Sequence, residues 1–363
     1  MGNIAKRPDG RWRARYRDPS GKERAKHFDR KIDAQRWLVN AEVSKDRGEW
    51  VDPRLARVTM AEWGRRWLDA QVQLKPSTQE RYALSLRRYI LARWAPMPIN
   101  AVSHGDIVTW VQELSVSGLA PATVRHAHRV LSMIFDLAVR DGRLHRNPAL
   151  DVRLPRVVSA EKRFLSIDEV ERLADACAGY DLLVRVLAYT GLRWGEAAAV
   201  RWRNVDTDRH RLHVVEAMTE VRGRVVVGTP KNHHRRTVPL PAFLARDLAA
   251  ARGDRGRDDL VFTAPDGGYL RNGNFRSRVF AAASRSAGLE GLTPHELRHT
   301  AASLAIASGA NVKAVQRMLG HASAAMTLDV YAGLFADDLD ALAAGLDRAR
   351  SERAADRLRT TPA

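Results

Sequence analysis

From Val58 to Pro148 the apolar residues recur every three or four positions, and no stretch of that region alternates. A period near 3.6 sustained this long admits helices packed on one another and excludes a sheet. Thr59 stands before a segment carrying Trp63 and Trp67. Ser77-Thr78-Gln79-Glu80 reads as a capping box opening a helix with Tyr82, Leu86 and Tyr89. Ser103-His104-Gly105-Asp106 opens another, with Ile107, Trp110, Val111 and Leu114. Pro121 starts a long one through Val124, Val130, Leu131, Ile134, Phe135 and Ala138, and Asn147-Pro148 ends the region. A bundle of four to five helices is expected over 57–150. Its aromatic residues belong to the bundle core and not to base-stacking platforms.

The preceding residues, 1–52, follow a different period. Arg11-Trp12-Arg13-Ala14-Arg15-Tyr16-Arg17 alternates strictly, which is the pattern of a strand. Arg11, Arg13, Arg15 and Arg17 share one face, and Trp12, Ala14 and Tyr16 share the other. Asp18-Pro19-Ser20-Gly21 makes a turn, Lys22 to Phe28 returns as a second strand, and a helix follows from about Asp33 to Arg47. A ribbon with one arginine-lined face fits a DNA major groove. The same pattern also serves as a solvated charged face. The whole chain carries a formal charge of +18, with 60 Lys plus Arg against 42 Asp plus Glu. That balance points to a polyanionic partner, nucleic acid first and an acidic membrane surface second. Only nine of the basic residues are lysine. Arginine forks suit phosphate, although a GC-rich genome gives the same bias.

Residues 151–162 form a polar, basic linker with Pro155. Beyond it, 163–350 mixes periods. Ser166-Ile167-Asp168-Glu169 is a capping box before a helix from Val170 to Ala178. A second helix covers Leu182 to Tyr189, and Glu196 to Val200 lies in a third. Leu212 to Val215 and Val225 to Val227 are strands of a small sheet, with Arg222-Gly223 near a turn. After Val238-Pro239 the pattern is mostly helical, and 351–363 is a tail. The fold class is therefore multidomain and mainly α, with small β-sheets: an amino-terminal ribbon and helix, a helical bundle, and a mixed α+β domain. The single cysteine, Cys177, allows no disulfide within the chain and sits in an apolar helical pattern as core filler. No signal-peptide segment is present, and uncharged stretches such as 300–312 fall short of the roughly 18–20 apolar residues of a membrane span. A soluble, cytoplasmic protein is expected.

The chemistry gathers in the last domain. Thr190-Gly191-Leu192-Arg193-Trp194-Gly195-Glu196 is followed, far downstream, by His295-Glu296-Leu297-Arg298-His299, then Leu319-Gly320-His321, then Tyr331. Cleaving a phosphodiester through a covalent intermediate needs a nucleophile, charge stabilisation at the non-bridging oxygens, a proton acceptor and a proton donor. Two arginines, several histidines and a tyrosine supply those types. Arg193 lies in a turn between apolar helices, and His295 and Arg298 share one helical turn. His295-Glu296-Leu297-Arg298-His299 also satisfies H-E-x-x-H, the signature of zinc proteases. Positions 302 and 305, Gly and His in the longer form of that motif, are both Ala, and the next glutamate is Glu352.

These motifs, with Thr229-Pro230-Lys231-Asn232, Arg235-Arg236-Thr237-Val238-Pro239-Leu240 and Ala314 to His321, strongly resemble the tyrosine recombinases, the phage-integrase family of DNA breaking-and-rejoining enzymes. The resemblance covers roughly Thr59 to Phe335. It implies that 57–150 is a core-binding domain, 163–350 the catalytic domain with its carboxy-terminal helix, and 1–52 an arm-type DNA-binding domain. It implies Arg193 and Arg298 as phosphate clamps, His295 as base or phosphate donor, His321 as a second phosphate donor, Lys231 as the acid for the leaving 5′ oxygen and Tyr331 as nucleophile. Glu196 and His299 are implied as supports. The resemblance further implies duplex attachment sites as substrate, a homotetramer on DNA, a DNA-bending accessory factor and an excisionase as partners, and no cofactor or metal. A cellular chromosome-dimer resolvase of the Xer kind is the rival within the family, and such relatives generally lack an arm domain. Leu339, Leu342 and Leu346 share one face of a tail helix that docks either on its own domain or on a neighbouring protomer.

Overall fold

The computed structural model describes residues 2–48, 50–52, 54–158, 162–230, 235–335, 343–348 and 350–351. The chain separates into two compact units, Met1–Ser159 and Ala160–Ala363.

In the first unit the alternating arginine segment forms the middle of a three-stranded antiparallel sheet. Its strands are β1 (Asn3–Lys6), β2 (Trp12–Arg17) and β3 (Glu23–Phe28). β1 had no counterpart in the sequence pattern. Helix α1 (Lys31–Asp46) covers one face, where Ala14, Tyr16 and Ala34 are buried and Tyr16 lies 5.2 Å from Trp37. The opposite face carries Arg13, Arg15 and Arg17. Register sets Arg13 beside His27 and Arg17 beside Glu23. Arg11 precedes the strand and pairs with Asp29 at 3.2 Å.

The bundle of this unit consists of α2 (Met60–Asp69), α3 (Pro76–Ser85), α4 (Leu91–Trp94), α5 (His104–Val116) and α6 (Pro121–Arg140). A π-helical stretch, Leu86–Ile90, joins α3 to α4. Capping boxes open α2 at Thr59 and α5 at Ser103. The expected box at Ser77 is not formed. Pro76 takes the first helical position behind Lys75, so the helix starts earlier and Ser77 lies inside its first turn. The tryptophans fill the core, as expected: Trp94 and Trp110 pack at 5.1 Å, and Trp63 donates its indole N–H to the Ile134 carbonyl at 3.0 Å. Burying each such ring contributes on the order of 2–3 kcal/mol.

The second unit is built around α7 (Ile167–Ala176), α8 (Asp181–Thr190) and α13 (Glu296–Ala307). α9 (Trp194–Ala197), α10 (Ala242–Arg252), α11 (Asn272–Phe275) and α12 (Ala281–Ser286) lie between them in the chain, and α14 (Val312–Leu319) and α15 (Ala324–Tyr331) follow. The expected box at Ser166 caps α7. The helix expected over Glu196 to Val200 is shorter, stopping at Ala197. The expected strands fall in two sheets. β4 (Val205–Asp206), β5 (Arg211–Val214) and β8 (Arg236–Pro239) make one, and the hairpin of β6 (Ala217–Val221) and β7 (Arg224–Gly228) makes the other. Arg222 and Gly223 both have positive φ, the two-residue turn that a twisted hairpin favours. Cys177 ends α7 and is fully buried.

Candidate active site

One left-handed glycine and one close approach place the first arginine, and a second left-handed glycine precedes His321. α8 stops at Gly191 (φ 64°), where a Cβ would stand 2.6 Å from the Leu319 side chain. Two residues on, Arg193 occupies the position before α9. At Gly195 the α9 backbone comes so near β6 that a Cβ would meet the Met218 carbonyl oxygen at 2.1 Å. Only glycine fits there, and the contact fixes α9 against the hairpin. The second glycine, Gly320 (φ 67°), ends α14 just before His321.

Glu196 is the hub. Its carboxylate is buried and accepts from the Arg193 backbone N–H and guanidinium, both at 2.9 Å, and from Arg236 through both terminal nitrogens, at 2.9 and 2.6 Å. Burial works to raise its pKa. The Arg236 hydrogen bonds and charge, with those of Arg193, outweigh burial and hold the carboxyl at about 2. Arg236 also donates Nε to the Met318 carbonyl at 2.9 Å. It is a site residue to which the sequence reading gave no role. Strand parity was the available signal: Val238 is buried, and Arg236 lies on the same face of β8.

Arg298 is buried on the first turns of α13 and donates to the Gly191 and Leu319 carbonyls. Burial, then the charges of Arg193 and Arg236, bring its pKa down to about 9, so it remains a cation at neutral pH. Three guanidinium groups thus converge around one carboxylate. The surplus positive charge is preorganised for an oxyanion.

The histidines divide. His295 is exposed at the start of α13, with its ring 5.5 Å from that of His299 in a T-shaped arrangement. His321 bonds Thr327 Oγ1 through Nδ1 at 3.0 Å, and burial with the nearby Arg298 and Arg193 keeps it neutral, with a pKa of about 4. His299 Nδ1 and the Tyr331 hydroxyl are hydrogen-bonded at 2.8 Å. Tyr331 ends α15 with 2 % of its surface exposed, and burial raises its pKa to about 12 although Arg298 opposes the shift. Lys231 lies outside the described residues, as do Leu339 and Leu342. Leu346, in a helical stretch at 343–348, is exposed.

The zinc-protease pattern gains no support. Glu296 accepts at one oxygen from the Thr293 backbone N–H at 2.6 Å and hydroxyl at 2.9 Å, a helix-capping arrangement. Among the described residues no group of three His, Cys, Asp or Glu could hold a metal. Nor is any helix among them long and apolar enough to cross a membrane.

A cation cluster at two helix ends and a buried phenol thus lie on the same unit. Three family models match the chain: the phage integrase family over residues 163–337, the phage integrase N-terminal domain over 1–47 and the phage integrase central domain over 60–154. The chain belongs to the phage integrase family of tyrosine recombinases, enzymes that break and rejoin DNA strands. A putative prophage phiRv2 integrase of Mycobacterium tuberculosis is 27% identical over 345 residues, covering 90% of each chain. A Tn1549 transposon integrase in complex with circular intermediate DNA superposes with a TM-score of 0.69 at 20% identity, over 80% of this chain and 99% of that one. A lambda integrase tetramer bound to a Holliday junction gives 0.59 at 22% identity, over 88% and 96%. At these identities the two structures speak for the fold.

Proposed function

We propose that this recombinase is the integrase of a phage or integrative element, and that Tyr331 attacks the scissile phosphate. The observation that carries the assignment is the Tyr331 hydroxyl held on the same unit as the Arg193–Glu196–Arg236–Arg298 cluster. Arg193 and Arg298 clamp the two non-bridging oxygens, and their donors strengthen as the phosphorane gathers charge. His321 and His295 donate to the phosphate, His295 being also the candidate base. The Tyr331 hydroxyl gives its proton to the candidate base His295 as its oxygen forms a bond to phosphorus, the bond to the 5′ oxygen breaks, and Lys231 protonates the leaving group. The 3′-phosphotyrosine keeps the bond energy, so rejoining needs no nucleotide hydrolysis. Glu196 and Arg236 orient Arg193.

The arginine face of β2 binds arm-type DNA sites, and the match of residues 1–47 to an integrase N-terminal domain favours this over the Xer-like alternative. The bundle at 57–150 and the catalytic domain each contact the core site. Four protomers exchange strands in pairs, the tail after Tyr331 serves assembly, and a bending factor and an excisionase set direction. Nicked duplexes tiled from DNA flanking the gene, incubated with the protein and chelator and run on a denaturing gel, test the assignment. A covalent adduct with wild type and none with Tyr331→Phe is expected. An adduct with Tyr331→Phe reassigns the nucleophile.

A further inference from the structure

Besides Tyr331, five side chains account for the chemistry proposed above, and none of them is the group hydrogen-bonded to the tyrosine. The hydroxyl of Tyr331 is engaged by His299 Nδ1 at 2.8 Å. His295, which the motif offers as base, is exposed one helical turn earlier and meets the His299 ring edge to face. His299 directly follows Arg298 on α13. One rigid helix therefore carries both the arginine clamp and the hydrogen-bond partner of the phenol.

We propose that His299 is a positioning residue for the nucleophile, holding the Tyr331 hydroxyl through a neutral Nδ1 acceptor at a distance fixed by its neighbour Arg298. This rests on Tyr331 being the nucleophile. The ring is itself held. The His295 ring stands 5.5 Å from it and the Tyr331 ring 5.8 Å, and Phe164 lies 6.3 Å from Tyr331. Burial, followed by the positive surroundings of His295, Lys162 and Arg298, lowers the His299 pKa to about 4 against a smaller opposing pull from Glu296. The ring is thus neutral across the working pH range. With Nδ1 accepting from Tyr331, its proton sits on Nε2. A neutral acceptor orients the phenol oxygen without needing to take its proton. That separates His299 from a general base, whose protonation would appear in the pH profile.

The experiment is single-turnover adduct formation on whichever nicked duplex wild type cleaves, with binding measured in parallel at one stated salt concentration. His299→Ala and His299→Phe remove the acceptor, the second keeping a ring in place. His299→Asn restores an acceptor oxygen near Nδ1. Loss of acceptor should slow adduct formation about 10- to 100-fold, the usual cost of a misplaced reacting group, with DNA affinity unchanged. His299→Asn should return to within a few-fold of wild type and keep its pH profile. An Asn variant as slow as His299→Phe, or lacking the acidic limb of the profile, overturns positioning in favour of proton transfer. A His299→Phe or His299→Ala protein as fast as wild type, or faster, overturns any positioning role. Failure of the parent assignment looks different: wild type itself then forms no adduct, or Tyr331→Phe still does.

Discussion

The two units of this protein hold their arginines in opposite ways. In the catalytic unit Arg298 is buried and Arg236 nearly so, each tied to a carboxylate or to backbone carbonyls. In the amino-terminal sheet Arg13 is half-buried and Arg15 exposed, and their ion-pair partner is the half-exposed Glu23, at 3.1 and 3.6 Å. Buried guanidinium groups cost desolvation, which their partners offset before any ligand arrives, so they meet a developing charge without reorganising. Exposed ones keep their hydration and their rotamer freedom, and contribute through counterion release when they meet DNA. One arrangement suits chemistry and the other suits docking.

The contrast predicts how each unit fails. Tyr331→Phe should abolish adduct formation and leave DNA retention intact on a filter or gel. Arg298→Ala should cut the cleavage rate by about 10²–10³ or more while affinity falls far less. Equal losses in rate and affinity would reduce Arg298 to an anchor. Glu196→Ala leaves two guanidinium groups without their carboxylate and should destabilise the catalytic unit by about 3–5 kcal/mol, read from denaturant unfolding. A change below 1 kcal/mol would mean that solvent already screens the hub.

Acidification tests the same unit more gently. His299 and His321 have folded pKa values of about 4 against an ordinary 6.5. The unfolded chain binds more protons between those values, so stability is fully present above pH 6.5 and is lost as pH falls towards 4. The loss should be about 1–2 kcal/mol per ring after allowing for solvent at these half-buried positions. A flat thermal midpoint across pH 4.5–7 would contradict the burial argument.

The amino-terminal face should show the smallest effect on chemistry. Changing Arg13, Arg15 and Arg17 to Ala should spare core-site cleavage, weaken arm-site binding and reduce the salt slope by about one per lost phosphate contact. Removal of residues 1–50 should likewise spare cleavage and impair integration. Full integration by that truncated form would remove the arm-binding role.

Much of this was legible in residue order because local rules and tertiary structure agree. The alternation at Arg11 to Arg17, the helix start behind Thr59, the openings at Ser103 and Ser166, and the tryptophan spacing of the bundle all appear in the fold. Where they disagree, a stronger local rule won: Pro76 set the start of α3 and overrode Ser77. The site was legible in composition but not in wiring. Sequence spacing brings His295 beside Arg298, yet it carries no sign that Arg236 reaches Glu196 or that His299 faces Tyr331. Those contacts span 40 and 32 positions and are made by folding alone.

Arg298 donates to Gly191 at the end of α8 and to Leu319 at the end of α14, where helices leave their last carbonyls without partners. It therefore works as a keystone between two helix ends before it meets any substrate. A descendant of this protein that had lost strand exchange and survived as a DNA-binding factor would come under pressure to keep Arg298 and would be free to discard Tyr331. On the proposed assignment of Tyr331 as nucleophile, the arginine alone would then mark ancestry in a genome, and the tyrosine a working enzyme.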